Sequence, residues 1–344
     1  MKKKHVIRKG AAAILVLCMT ALAGCSVLGP GAASSQPSSV QSSEPVDINY
    51  PLDFDNVYIE AKPQRVVSLS PSLTEIFCEL GFESRLVGRT DYCDTPESVN
   101  SLPTVGTPMM LDTKKIAELA PDLIVMQAPP TNEAMIKLQQ TGAAIVTIAR
   151  AYDVASTGEL YAKICRLMEG AEAGVELGEQ YKARFIARLD RLTKSIEAYV
   201  ATKEDAQAHT AAYLIDTVSI AATPDTYPGK LLAVLGLDNV ASGGVNWQFP
   251  AEKTAEAKPY VLLLGSDVDL EALKKSKTLG GLSAVKNDRL YTVNNIVFER
   301  QSLRVAEELE RISQELYPGI TLEQEPSSQP VTGQSPTDAS SGAG

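Results

Sequence analysis

The segment AEAGVELGEQYKARFIARLDRLTKSIEAYV, residues 171–200, decides the fold. Its large apolar residues recur at helical spacing, with charged residues between them, at Tyr181, Phe185, Leu189, Leu192 and Ile196. A helix over this segment would extend roughly 45 Å, at about 1.5 Å per residue. Because a crossover helix within one α/β lobe is shorter, we expect this helix to bridge two lobes.

Short apolar segments alternate with helical segments on both sides of this long helix. Strands are predicted at residues 65–69, 86–88, 123–126, 144–148, 211–215, 260–264 and 290–293. Helices are predicted near residues 73–80, 113–119, 132–140, 229–235, 270–275 and 304–316, and a short hairpin at residues 48–59. This alternation indicates βαβ units and parallel sheets covered on both faces.

The predicted fold class is α/β, with two lobes that each have a central, mostly parallel sheet covered by helices, joined by a single long interlobe helix. The expected domains are an N-terminal lobe at residues 48–155, linking helices at 156–200 and a C-terminal lobe at 201–320. Gly170, Gly174 and Gly178 are expected to mark a break between a short linking helix and the long one.

The first 24 residues have the pattern of an export signal. A basic stretch, Lys2–Lys9, precedes an apolar run, Ala11–Leu22, that is too short to span a membrane. The small residues Ala23 and Gly24 before Cys25 are typical of a bacterial lipobox, in which that cysteine becomes lipidated; a plain signal peptide with an accidental cysteine is the alternative. We expect an extracytoplasmic protein anchored to the cell membrane by its lipid, with a flexible stalk over residues 25–47 and a disordered tail over 321–344.

Charge and residue counts exclude several functions. The chain has 32 basic and 42 acidic residues, and the leader holds five of the basic ones, so the exported chain would be strongly acidic and unsuited to nucleic acid. Of two histidines, His5 lies in the leader and leaves His209, which excludes a multi-histidine metal site; we expect no metal and no cofactor. Cys78, Cys93 and Cys165 show no zinc-binding spacing, and we expect buried free thiols, with a Cys78–Cys93 disulfide as the alternative.

Four local motifs carry a resemblance to a known family. They are KPQRVVSLSPSLTE at residues 62–75, VGRTDYCDTP at 87–96, IAELAPDLI at 116–124 and FERQSLR at 298–304. Together with the lipobox and the two-lobe pattern, they resemble the rigid class of solute-binding lipoproteins of ABC importers, which bind vitamin B12, haem or ferric siderophores. The motifs are most similar to those of cobalamin-binding members. The resemblance implies a monomer, not an enzyme, that binds a small molecule between its lobes and delivers it to an ABC permease.

Aromatic residues in predicted loops are the candidate ligand contacts. These are Tyr92, Tyr152, Tyr227, Trp247 and Phe298. Arg300 is added as a cation that could pair with an anionic ligand, whereas Arg89 and Arg150 are expected to be surface arginines. For each aromatic residue the alternative is packing within its own lobe. Ser72–Glu75 has the spacing of a helix capping box, and His209 is expected in a solvent-facing loop.

Two acidic residues are candidates for docking to the permease. The resemblance implies one acid on top of each lobe, and Glu252 stands at that position in the C-terminal lobe. The matching N-terminal position is Lys114, so either Asp112, two residues earlier, takes the role or the permease lacks a matching arginine. The expected ligand is a corrinoid; haem or a ferric siderophore is the alternative, and an exported carboxylate-based hydrolase is a further one.

Overall fold

A β-hairpin opens the part of the chain that the computed structural model describes, residues 47–203 and 209–323. Strands β1 (Leu52–Phe54) and β2 (Val57–Ile59) pair antiparallel, within the range predicted for a hairpin. The two turn residues, Asp55 and Asn56, both have positive φ, as a tight hairpin turn requires. The predicted signal peptide, the lipidation site Cys25, the stalk up to residue 46 and the tail from residue 324 lie outside the described residues.

The N-terminal lobe is built on a four-stranded parallel sheet in the order β4-β3-β7-β8. Its strands are β3 (Val66–Ser68), β4 (Leu86–Arg89), β7 (Leu123–Met126) and β8 (Ala144–Thr147). Its helices are α1 (Pro71–Glu79), α2 (Thr113–Glu118) and α3 (Asn132–Gln139). A second hairpin, β5 (Gly106–Thr107) and β6 (Met110–Leu111), precedes α2. The central strands β3 and β7 are buried throughout, as strands covered on both faces should be.

Two packed helices follow the first lobe. Helix α4 (Val154–Glu169) begins at a capping box formed by Asp153 and Ser156, and ends at Gly170, whose φ is +88°. Helix α5 (Ala173–Ala201) is 29 residues long, close to the predicted span of 171–200.

The glycine prediction is wrong for Gly174 and Gly178, which lie inside α5. A Cβ at Gly174 would come within 2.5 Å of the Cys165 carbonyl oxygen, and one at Gly178 within 2.8 Å of Ala162 Cα. These glycines therefore let α5 pack closely on α4 and do not break the helix.

The C-terminal lobe repeats the arrangement with a parallel sheet in the order β10-β9-β11-β12. Its strands are β9 (His209–Leu214), β10 (Leu237–Asn239), β11 (Val261–Gly265) and β12 (Leu290–Val293). Its helices are α6 (Tyr227–Val234), α7 (Ala251–Ala257), α8 (Leu270–Lys275), α9 (Ser283–Lys286), α10 (Asn295–Glu299) and α11 (Leu303–Leu316). The predicted class, α/β with two parallel sheets, is confirmed.

One hydrophobic core runs from the first lobe to the second. It joins Ile76 of α1, Leu160 of α4 and Phe185 of α5 to Leu263 of β11 and Leu309 of α11. Each sheet also has a smaller core on its other face. The linking helices therefore bury apolar surface against both lobes, which couples the lobes rigidly. In the residues described, no helix has the length and apolar character needed to cross a membrane.

Candidate functional site

A cleft of about 330 Å³ lies between the two lobes. It is lined by Arg150, Ala151 and Tyr152 from the N-terminal lobe and by Asp225, Thr226, Tyr227, Pro228, Asn246, Trp247, Glu299 and Gln301 from the C-terminal lobe. The loops that contribute these residues follow the carboxyl ends of β8, β9 and β12. Open parallel sheets bind their ligands beyond the carboxyl ends of the strands, and the cleft has the size of a small-molecule site.

Trp247 is held at the cleft by a constrained turn. Asn246 and Trp247 both have positive φ, at 50° and 66°, a conformation that is costly for such residues. The Asn246 N–H donates to Asp225 Oδ2 at 2.8 Å and the Trp247 N–H donates to Thr223 Oγ1 at 3.0 Å. The indole packs edge-on against the buried ring of Tyr213. The turn therefore orients the indole before any ligand binds.

Asp225 is the carboxylate that organises this turn. Its Oδ1 accepts a hydrogen bond from the Thr223 hydroxyl at 2.6 Å, while Oδ2 accepts from Asn246. The bond from Thr223, together with the backbone bond from Asn246, lowers the pKa of Asp225. Asp225 is thus ionised and its oxygens are already used by the protein.

Tyr152 and Tyr92 are the two exposed tyrosines among the candidates. Tyr152 is 62 % exposed and lines the cleft at the N-terminal lobe. Tyr92 is 57 % exposed but does not line the described cleft, and its carbonyl oxygen accepts a hydrogen bond from Arg300 at 3.1 Å. The structure therefore brings Tyr152 together with Trp247, while Tyr92 lies beside a buried charge network.

Tyr227 and Phe298 are the two buried aromatic residues among the candidates. Tyr227 lines the cleft although it is largely buried, and its hydroxyl accepts a bond from Thr157 of α4 at 3.0 Å. Phe298 has no exposed surface and packs edge-on against Tyr213, with ring centroids 5.3 Å apart. The prediction that Phe298 contacts ligand is wrong, because the short helix α10 turns its ring into the core.

Arg300 is buried in an ion-pair network that joins the lobes. Its Nη1 lies 2.5 Å from Glu75 Oε1 and 2.9 Å from Asp94 Oδ1, both in the N-terminal lobe. Arg304 Nη1 is 3.0 Å from the same Glu75 oxygen, and the Ser302 hydroxyl donates to the other. The prediction that Arg300 meets an anionic ligand is therefore wrong, because protein carboxylates already neutralise it.

The capping-box prediction for Ser72–Glu75 is also wrong. Helix α1 begins after Ser70, which makes no side-chain cap, so Ser72 and Glu75 lie within the helix. Glu75 is instead the buried partner of Arg300 and Arg304.

Gln301, which was not predicted from the sequence, lines the cleft and bonds to residues of the N-terminal lobe. Its amide oxygen accepts from Gln127 at 3.1 Å and from the Ala151 N–H at 2.9 Å, and its amide nitrogen donates to the Ala151 carbonyl at 2.6 Å. We call residues 300–304 the interlobe segment, because their hydrogen bonds and ion pairs reach across to the N-terminal lobe. Nothing in the local pattern of a single glutamine could reveal partners so distant along the chain.

Asp225 and Asn246 also line the cleft and were not predicted from the sequence. Their sequence signal is weak: Asp and Asn favour turns, and these two residues stand near proline or glycine.

Two other side chains differ from expectation. Arg89 is buried and not on the surface, and donates to the carbonyls of Val99 at 2.7 Å and Thr90 at 3.2 Å. His209 begins strand β9 and stacks on Tyr260, with ring centroids 4.1 Å apart, so it does not lie in a loop. Arg150 remains exposed, and its Nη2 donates across the cleft to the Glu299 carbonyl at 3.2 Å.

The cysteines and acids of the described residues show no metal site. Cys78, Cys93 and Cys165 are free thiols, with Cys93 and Cys165 buried. Within the described ranges, no three His, Cys, Asp or Glu side chains come together as metal ligands would.

The candidate docking acids occupy equivalent helices of the two lobes. Helix α2 precedes strand β7 and α7 precedes β11, so the amino end of each helix lies at the cleft side of its lobe. Glu252 is exposed in the first turn of α7. Asp112 is exposed and caps α2, accepting from the Lys115 N–H at 3.0 Å.

The comparisons with known proteins agree with this architecture. A family model described as "Periplasmic binding protein" matches residues 66–297. An uncharacterised ABC transporter substrate-binding lipoprotein of Bacillus subtilis, YvrC, is 28% identical over 323 residues, which cover 90% of this chain and 98% of the relative. A cobalamin-binding protein of Halobacterium salinarum is 23% identical over 293 residues, which cover 82% of this chain and 76% of the relative.

Solved structures show the same fold. The periplasmic vitamin B12 binding protein BtuF of Vibrio cholerae matches with a TM-score of 0.58 and 22% identity, over 74% of this chain and 96% of that one. A periplasmic heme binding protein of Pseudomonas aeruginosa matches with a TM-score of 0.65 and 21% identity, over 76% and 95% of the two chains.

Proposed function

Since this chain belongs to the periplasmic binding protein family and is an ABC-transporter substrate-binding protein, not an enzyme, we propose that its ligand is a corrinoid held in the interlobe cleft. The observation that carries the proposal is the preoriented indole of Trp247, which lines, together with Tyr152, a cleft between two rigidly coupled sheets. The similarity to cobalamin-binding proteins supports a corrin ring as the ligand.

The residue types of the lining suit a flat ring with polar edges. Aromatic faces such as Trp247 and Tyr152 bury apolar ring surface, at about 25 cal/mol per Å². The amide group of the exposed Asn246 can exchange hydrogen bonds with the ring's side arms. Because the lobes share one core, we expect only small closure on binding.

The alternatives in the same class, haem and ferric siderophores, are less well supported. Haem proteins use an axial histidine or tyrosine; His209 lies at the amino end of β9, away from the cleft end, which leaves a cleft tyrosine such as Tyr152 for that role. A ferric siderophore would favour clustered arginines, but Arg89 and Arg300 are committed to protein partners and Arg150 alone lines the described cleft.

The test is a ligand titration monitored through the fluorescence of Trp247, which is the single tryptophan of the chain. We expect cyanocobalamin to quench it at submicromolar concentration, because the ring would stack against the indole. Calorimetry on Trp247→Phe should give weaker binding, and a change at the half-buried Tyr199 ring, which lies outside the cleft, Tyr199→Phe, serves as control. Quenching by haemin or a ferric siderophore, with none by cyanocobalamin, would show that the ligand is one of those molecules and not a corrinoid.

We also propose that Cys25 carries the lipid that tethers the protein to the outer face of the cell membrane. The lipobox pattern and the lipoprotein relative support this. Cys25→Ser should move the protein from the detergent phase to the aqueous phase in phase partitioning and abolish labelling with palmitate. Cys78→Ser is the matched control and should remain in the membrane fraction. Retention of the Cys25 variant in that fraction would argue against the anchor.

For delivery, we propose a monomer that docks on its permease through Glu252 and Asp112, one exposed acid at the cleft end of each lobe. Paired charges of this kind orient an encounter more than they add affinity.

A further inference from the structure

We infer that the carboxylate of Glu299 makes the cleft selective for rings whose side arms end in amides over rings whose side arms end in carboxylates. This inference rests on the proposed function, since it concerns the same cleft. It assigns a specificity-determining role to a residue that the sequence patterns did not single out.

The first support is the charge of the lining. Among the described residues that line the cleft, Asp225 and Glu299 are acidic and Arg150 is basic. The nearby Arg300 does not neutralise the second acidic residue of the lining, because Glu75 and Asp94 already pair with its guanidinium at 2.5 and 2.9 Å. The cleft therefore has an excess of negative charge.

The second support is that the Glu299 carboxylate lacks a donor from the protein. The side chain is half-buried, and within the described ranges no protein group donates a hydrogen bond to its carboxylate. Arg150 is near, but its guanidinium donates to the backbone oxygen of Glu299. By contrast, both oxygens of Asp225 already accept bonds from the protein. Of the two carboxylates in the described lining, Glu299 is therefore the one that is free to accept from a ligand.

The pKa of Glu299 agrees with this geometry. Burial raises it, because the carboxylate loses water without gaining a donor, and Arg150 only partly opposes the rise. A half-buried acceptor without a partner is costly, and a ligand that supplies an N–H group relieves that cost. The amide arms of a ring supply such N–H groups, whereas ionised carboxylate arms supply none.

A carboxylate arm near Glu299 would also be repelled. Like charges a few ångströms apart at a partly exposed site disfavour binding by about tenfold, equivalent to about 1.4 kcal/mol. The repulsion is screened by salt, so the selectivity should weaken as ionic strength rises.

The experiment compares matched rings by isothermal titration calorimetry on the full chain. Cobyrinic acid, whose arms end in carboxylates, is compared with cobyric acid, in which nearly all of them are amides; haemin is compared with its amide derivative. We expect the wild type to prefer the amide member of each pair. Glu299→Gln should bind the carboxylate member about tenfold more tightly and the amide member more weakly. Glu256→Gln, which removes the same charge from an exposed site on α7, should keep the wild-type ratio.

The outcomes separate this inference from the proposed function. Equal affinity within each pair, or a ratio that Glu299→Gln leaves unchanged, overturns the role of Glu299. Tighter binding of the haem pair than of the corrin pair, with the amide preference retained, overturns the corrinoid assignment and keeps this inference. If neither pair binds, both are overturned.

Discussion

Glu79 is a buried carboxylate at the contact between the lobes and the linking helices. It lies on α1, accepts a hydrogen bond from the Tyr161 hydroxyl of α4, and accepts another from the Leu303 N–H at 3.2 Å. Burial raises the pKa of Glu79 to about 7; the two hydrogen bonds oppose the rise, whereas the nearby Glu75 and Glu307 add to it. Glu79 therefore titrates near neutral pH in the folded protein.

The raised pKa predicts how stability depends on pH. The folded state holds the proton up to about pH 7, whereas the unfolded chain loses it near its ordinary value of 4.5. The contribution of Glu79 is thus fully present below pH 4.5 and is lost as pH rises through 7, on the order of 3 kcal/mol. Urea unfolding at about pH 5 and about pH 8 should show that Glu79→Gln reduces this loss.

The exposed Glu97→Gln is the control for Glu79 and should keep the wild-type difference between the two pH values. The same difference in Glu79→Gln would show that other groups cause the pH dependence.

At the scale of single residues, the sequence predicted chemical type better than placement. Trp247 and Tyr152 were expected at the cleft, and both line it. Phe298 and Arg300 were expected there too, but one packs in the core and the other pairs with Glu75. An aromatic ring or a guanidinium is equally suited to a ligand or to a protein partner, and only the fold decides which of the two it meets.

At the scale of elements, the interlobe segment is the second connection between the lobes, beside the linking helices. Arg300→Met should lower the free energy of unfolding by about 3 kcal/mol, because Glu75 would keep a buried charge with only Arg304 to pair it. Urea unfolding measures the loss.

A double-variant cycle tests the pairing in this segment. Glu75→Gln with Arg300→Met should cost less than the sum of the two single changes, since the pair is then removed together. Additive losses would show that Arg300 stabilises the protein by packing alone. Arg289→Met, at an arginine that donates to the Tyr260 carbonyl outside the segment, is the control and should not couple to Glu75.

Elements with a strong local signal were predicted closely. Strands β7 and β12 and helix α8 have the predicted bounds, because continuous apolar runs or clear helical spacing define them. The short elements β5, β6, β10, α7, α9 and α10 were not predicted. They contain two to seven residues each, too few for a periodic pattern, and tertiary contacts stabilise them.

At the scale of the whole molecule, we predict that docking on the permease is separable from ligand binding. Glu252→Ala should reduce ligand uptake by cells several-fold and leave solution affinity unchanged, because this residue is exposed on α7 and does not line the described cleft. Uptake of labelled ligand, with calorimetry on the purified variant, measures both. Glu256→Ala on the same helix is the control and should retain uptake.

Testing Asp112, the docking candidate of the N-terminal lobe, requires a substitution that keeps its role as a helix cap. Asp112 caps α2, so Asp112→Ala would also cost about 1 kcal/mol of stability. Asp112→Asn keeps the cap and removes the charge, and reduced uptake would support docking at this residue. Lost ligand affinity in Glu252→Ala, or unchanged uptake in both variants, would contradict the docking proposal.

The amino-acid sequence by itself determined the α/β class, the two parallel sheets and the long helix between them. Apolar periodicity encodes these features locally, within segments of a few to about thirty residues. Only the tertiary structure decided which polar side chains meet: it pairs Glu75 with Arg300 and Gln127 with Gln301, and among the described residues it gives the Glu299 carboxylate no donor. The ion pair of Glu75 and Arg300 spans 225 positions of the chain, and such partners are chosen by packing, on which local patterns carry no information.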